Sequence, residues 1–159
     1  MGCYAPTMDR AQILEAVGRV ARDLAFADLD LVVVFGSVAA ARETPSSDVD
    51  VFVRLAAGAP LDHVRHRELE NALSAATRRE VDVVSDGPRT SVVLRHQVAA
   101  KGIPVYERVP RAFKDFVVDA IRAYVDLEPQ LRLLSAATRA RAIRDGAAAL
   151  RQFGGNVGR

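Results

Sequence analysis

Residues 31–54 read LVVVFGSVAAARETPSSDVDVFVR. The apolar run Leu31–Phe35 ends abruptly in Gly36-Ser37, and ten residues later Asp48-Val49-Asp50 opens a second β-rich run. Side chains alternate faces along a strand, so Asp48 and Asp50 share one face while Val49, Val51 and Val53 point into a core. Two adjacent carboxylates with no basic residue between them repel and are costly to keep ionised. A divalent cation relieves this, and Mg²⁺ is typically held by one or two carboxylates together with substrate phosphates. Gly36 permits a tight turn and a close backbone approach to a ligand. Ser37 reads as the N-cap of a short helix over residues 38–42, whose first N–H groups and dipole favour phosphate. A phosphate cradle beside an acid pair points to phosphoryl or nucleotidyl transfer.

A third carboxylate lies further on. Arg79-Glu80-Val81-Asp82-Val83-Val84 is a strand pattern in which Asp82 and Val84 share a face and Val81 and Val83 take the other. If this strand lies beside the one carrying Asp50, three carboxylates converge. Two metals about 3.5–4 Å apart could then clamp the attacking and leaving oxygens, and Asp82 could accept the proton of the attacking hydroxyl. A solvated strand edge and an ordinary turn would show the same letters, but not a third acid on a separate strand.

Gly36-Ser37 followed at this spacing by Asp48-Val49-Asp50 resembles the signature of the polymerase-β-like nucleotidyltransferases. The short chain and the Arg-Glu-Val-Asp-Val-Val run resemble the minimal nucleotidyltransferase (MNT) branch, over roughly residues 10–108. Many members of that branch are antitoxins encoded beside a HEPN ribonuclease toxin. The resemblance implies Asp48, Asp50 and Asp82 as metal-binding and catalytic acids, with Gly36 and Ser37 at the triphosphate. It also implies two Mg²⁺ ions, ATP as substrate and a tyrosine of the cognate HEPN toxin as AMP acceptor. Where family members often carry Gly-Ser-x-Ala-Arg-Gly, this chain has Gly-Ser-Val-Ala-Ala-Ala. Ala40 therefore stands where an arginine is common, leaving Arg42 as the nearby candidate for nucleotide binding.

Two other functions compete. The chain could neutralise its toxin by binding alone, through the basic C-terminal helix, with a vestigial site. It could also adenylylate a small-molecule antibiotic, with the C-terminal helices forming the acceptor pocket.

The remaining chain is read as alternating elements: a helix over residues 8–25 capped by Thr7, the strand from Leu31, the short helix, and the Asp48/Asp50 strand. A small-residue turn at 56–60, a helix over 61–78 and the Asp82 strand follow. A helix over 91–100 then ends at Gly102 as its C′ residue, before an edge strand at 103–106 marked by Pro104. His63 and His66, three residues apart, lack a third ligand nearby and read as surface histidines. The expected fold is α+β: a small mixed sheet flanked by helices. From Pro110 the composition turns helical, and Pro129 predicts two helices, roughly 113–128 and 130–152. The domain reading is a minimal nucleotidyltransferase domain at 1–108, a helical extension at 109–153 and a flexible tail at 154–159.

At 159 residues, half of them apolar, the chain is long enough for one domain with a substantial core. The single cysteine, Cys3, excludes an internal disulfide. No run reaches the roughly 18 apolar residues of a membrane span, and MGCYAPTMDR does not read as a signal peptide, so a cytoplasmic location is expected. The net charge of +2 is uneven, with six arginines and one acid from Arg132 onward. Such a basic segment suits nucleic acid or an acidic protein surface.

Overall fold

A computed structural model of the chain describes residues 8–24, 26–44, 46–56 and 61–154, with side chains as far as residue 137. Cys3, the Thr7 cap, most of the 56–60 turn, residues 155–159 of the tail and the side chains of the last helical turns lie outside the described residues. The elements are α1 (Arg10–Asp23), β1 (Leu29–Phe35), α2 (Gly36–Ala39), β2 (Val49–Leu55), α3 (His63–Thr77), β3 (Val81–Ser85), α4 (Val92–Lys101), β4 (Ile103–Glu107) and α5 (Ala112–Gly154).

The four strands form one mixed sheet in the order β3-β2-β1-β4. β1 runs antiparallel to β2 and β4, and β2 runs parallel to β3. Pro104 sits on an edge strand, as its missing N–H requires.

The alternation in β2 divides the core. Val49, Val51 and Val53 are fully buried against Ile13 and Val17 of α1 and Leu69 and Leu73 of α3. Phe52 takes the opposite face with Leu31, Val33, Val98 of α4, and Phe116 and Ala120 of α5. Phe52 and Phe116 stack obliquely at 5.0 Å and 42°. Burying each ring is worth roughly 2–3 kcal/mol.

Local signals fix the helix ends. Asp9 starts α1 through a capping box with Gln12, each side chain bonding the other's backbone N–H at 2.9 Å. Asp62 caps α3, its carboxylate accepting from the N–H groups of Val64 and Arg65. Val64, in the first turn of α3, is 77% exposed. Gly102 ends α4 with extended backbone rather than the left-handed C′ geometry expected. Its glycine is required by packing instead, since a Cβ there would lie 2.5 Å from Val33 Cγ1. His66 pairs with Glu70 at 3.0 Å on α3.

The expected C-terminal helical pair is a single helix, α5, which runs through Pro129. Proline removes one i→i−4 bond, but helix-favouring residues flank it on both sides and an Arg132–Glu128 bond of 2.8 Å spans it. The chain forms two compact units, one to Ile121 and one from Arg122. The start of α5 belongs to the first, where Phe116 and Ala120 are fully buried.

Candidate active site

The strand register brings the predicted acids to one end of the sheet. Asp50 pairs with Asp82 across β2 and β3, and with Phe35, the last residue of β1, on the other side. Gly36 therefore follows directly onto the Asp50 side chain. It adopts φ +67°, and a Cβ there would lie 1.9 Å from Asp50 Oδ2. The position needs glycine for both conformation and room. Asp48 lies one residue before β2 and is exposed, Asp82 is exposed, and Asp50 is half-buried.

Burial is the largest influence on Asp50 and raises its pKa, and the negative charges of Asp82 and then Asp48 raise it further. A hydrogen bond from the Ser37 backbone N–H opposes this. Ser37 thus acts through its backbone on a carboxylate. It is not the expected N-cap of a helix at 38–42, because α2 spans only Gly36–Ala39, begins after Phe35 and has no side-chain cap. Ala41, at φ +52°, turns the chain away immediately afterwards.

Two arginines that sequence reasoning missed hold this end of the sheet. Arg10 of α1 donates from Nε to the Val38 carbonyl and from Nη2 to the Ala39 carbonyl, both at 2.9 Å. A cation thus satisfies the C-terminal carbonyls of a helix too short to hold itself. Arg79 donates from Nη1 to the carbonyls of Thr44 (2.8 Å) and Ser47 (3.2 Å), and from Nη2 to that of Met8 (3.3 Å). With Val49 N–H donating to the Glu80 carbonyl at 2.9 Å, Arg79 ties the segment delivering Asp48 to the strand delivering Asp82. Thr44 and Ser47 are also bonded to each other: the Ser47 hydroxyl accepts from Thr44 N–H at 2.8 Å. The signal available in the sequence was an arginine two residues before an acid-bearing strand.

A cleft of about 620 Å³ opens beside Asp50, lined by Phe35, Gly36, Ser37, Ala40, Arg42, Gln97 and Lys101. Gln97 and Lys101, one turn apart on α4, were not anticipated. Among the described residues no three carboxylate, histidine or cysteine side chains stand close enough to hold a metal ion as they are. The three aspartates share one end of the sheet, and Asp82 and Asp48 act electrostatically on Asp50. Hard carboxylate oxygens, with the Asp50 pKa raised by burial and then by the neighbouring acids, fit Mg²⁺, which completes its shell with substrate phosphates and water. Among the described residues no helix is long and apolar enough to cross a membrane.

A mixed sheet carrying acids on neighbouring strands, next to a glycine turn and an open cleft, defines the class of nucleotidyl-transferring enzymes. Residues 24–111 match the family described as polymerase beta, nucleotidyltransferase, and the chain belongs to that family. A search of curated protein sequences returned no match.

Solved structures are similar over most of the chain. A toxin–antitoxin complex with AMP-PNP is 25% identical with a TM-score of 0.68, covering 79% of this chain and 98% of its own. A mutant of the MntA–HepT toxin–antitoxin is 27% identical with a TM-score of 0.63, covering 76% and 93%. The tri-AMPylated HEPN toxin of Shewanella oneidensis in complex with its MNT antitoxin shares the fold, at 24% identity and a TM-score of 0.65, covering 82% and 98%.

Proposed function

We propose that this chain is an Mg²⁺-dependent adenylyltransferase that acts as an antitoxin, transferring AMP from ATP to a tyrosine of a cognate HEPN toxin in the cytoplasm. The observation that carries this reading is the pairing of Asp50 with Asp82, beside Asp48 and the Gly36-Ser37 turn. The similar structures support it, since AMP-PNP and an AMPylated HEPN toxin are found in them. Residues 1–108 form the transferase domain in this reading, 109–153 its helical extension and 154–159 a tail.

Asp48, Asp50 and Asp82 would hold Mg²⁺, which when bound neutralises phosphate charge and favours attack at the α-phosphate. Gly36 keeps the approach to Asp50 open, and Ser37 orients that carboxylate through its N–H. Asp82, the more exposed of the paired acids, accepts the proton of the attacking tyrosine hydroxyl. The bond from that oxygen to the α-phosphorus forms as the bond to the bridging oxygen of pyrophosphate breaks. Arg42 meets the triphosphate from the cleft wall.

The test is mass spectrometry of the neighbouring gene's product after incubation with this protein, ATP and Mg²⁺. Asp48→Ala/Asp50→Ala is run in parallel. Added AMP on a tyrosine, lost in the double variant, supports the proposal, whereas a stable but unmodified complex overturns its catalytic half. That second outcome would favour neutralisation by binding, for which the exposed Val125 and Leu133 on α5 offer contact surface.

A further inference from the structure

The cleft beside Asp50 has two unlike walls. One carries the carboxylate and the Gly36–Ala39 turn, and its helix offers no cation: Ala39, Ala40 and Ala41 follow Val38. The other wall is α4, which presents Gln97 and Lys101 at a spacing that puts both on one helical face. Asp50 is the acid lining the cleft, and Arg42 and Lys101 are its basic residues.

The backbone of α4 is fixed where these side chains emerge. Val98, between them, is fully buried with Val33 and Phe52. Gly102 closes the helix by donating its N–H to the Val98 carbonyl at 2.8 Å, and it lies against Val33 of β1, the strand that leads to Gly36. Lys101 itself is exposed at the end of this pinned helix. A long flexible cation on a fixed base, across a cleft from a metal-binding acid, suits a polyanion lying between the two.

Resting on the nucleotidyl-transfer reading, we infer that Lys101 is a substrate-positioning residue. It meets the β- and γ-phosphates of ATP opposite the carboxylates, with Gln97 donating a hydrogen bond one turn earlier. Arg42 approaches from the α2 side, so the triphosphate is gripped from two walls. The clamp supplies from α4 the positive charge that α2 does not. The alternative is that Lys101 merely complements the C-terminal end of the α4 dipole. That role would alter stability and leave nucleotide affinity alone.

The experiment is isothermal titration calorimetry of the full-length chain with ATP and with AMP in Mg²⁺, alongside thermal melts. Lys101→Ala is expected to weaken ATP binding by about tenfold, the worth of a charge-assisted contact, and to leave AMP binding and the melting temperature near wild type. Lys101→Arg should restore most of the ATP affinity, and Lys101→Glu should weaken it beyond Lys101→Ala. Equal ATP affinity in wild type and Lys101→Ala overturns the clamp while leaving the nucleotidyl-transfer reading intact. An equal loss for ATP and AMP also overturns the assignment to the β- and γ-phosphates. Wild-type protein that binds no nucleotide overturns the underlying reading, and the clamp with it.

Discussion

Asp50 and Asp82 are register partners in a parallel strand pair, each the second residue of its strand, and the charge of Asp82 helps to raise the Asp50 pKa. A raised carboxylate pKa means that ionised Asp50 costs the fold free energy. The stability gained from its protonated form is complete below the ordinary value of 3.8 and is lost as pH rises through the elevated one. Asp50→Asn, without divalent cation, should therefore melt higher than wild type at pH 7, and the gap should close as pH falls towards ~4. About 2–4 °C corresponds to ~1 kcal/mol in a chain of this size, and Asp50 is only half-buried, so a shift of that order or less is expected. Calorimetry at several pH values checks it. In Mg²⁺ the wild type should gain stability and the variant should gain little.

Gly36 is constrained from two directions, by φ +67° and by the Asp50 carboxylate where a Cβ would stand. Gly36→Ala must both strain the backbone, at roughly 1–2 kcal/mol, and displace Asp50. Activity should fall by more than about 100-fold, since misplacing a reacting group by ~1 Å can cost that much, while urea unfolding shifts only modestly. A variant as active as wild type would show that the Gly36–Asp50 approach does not matter to catalysis.

At the opposite end of β2, Arg54 donates to Asp30 at 2.6 Å and to the Ala112 carbonyl at 3.0 Å, and its guanidinium lies 5.8 Å from the Phe116 ring centre. Both members of the ion pair are largely buried. Removing one partner strands the other charge, so Arg54→Ala should destabilise by about 3 kcal/mol. Replacing both, as Asp30→Asn/Arg54→Met, should cost less than the single change. Urea denaturation of the two variants gives the comparison directly.

The acid end of the sheet was legible because β alternation and spacing are local properties. Val49, Val51 and Val53 had to face a core, which put Asp50 on the other side, and Asp82 followed the same logic on its own strand. The reach of Arg10 across to Ala39, or of Lys101 to the cleft, depends on tertiary placement and leaves no periodic trace. Ser37 misled for a related reason. A serine after a strand end is a common cap, but antiparallel pairing set Asp50 beside Gly36 and drew the Ser37 N–H to that carboxylate. Pro129 misled because a local breaker was outweighed by helix-favouring residues on both sides.

Arg10 offers the sharpest separation of fold from function. It touches no acid of the site, yet its two bonds terminate the four-residue α2, whose other end carries Gly36 and Ser37. A helix that short has too few internal bonds to persist alone, so its position depends on this external cation. Arg10→Ala removes two charge-assisted contacts at a part-buried site and should cost about 2 kcal/mol of stability. The larger effect should fall on ATP, with affinity down several-fold as the turn beside Asp50 loses its anchor. Arg10→Lys can reach one carbonyl but not both in the same fork, and should fall between the two. Parallel urea melts and ATP titrations test this order. An alanine variant that loses stability but keeps wild-type ATP affinity would mean that α2 is held by its strand connections alone.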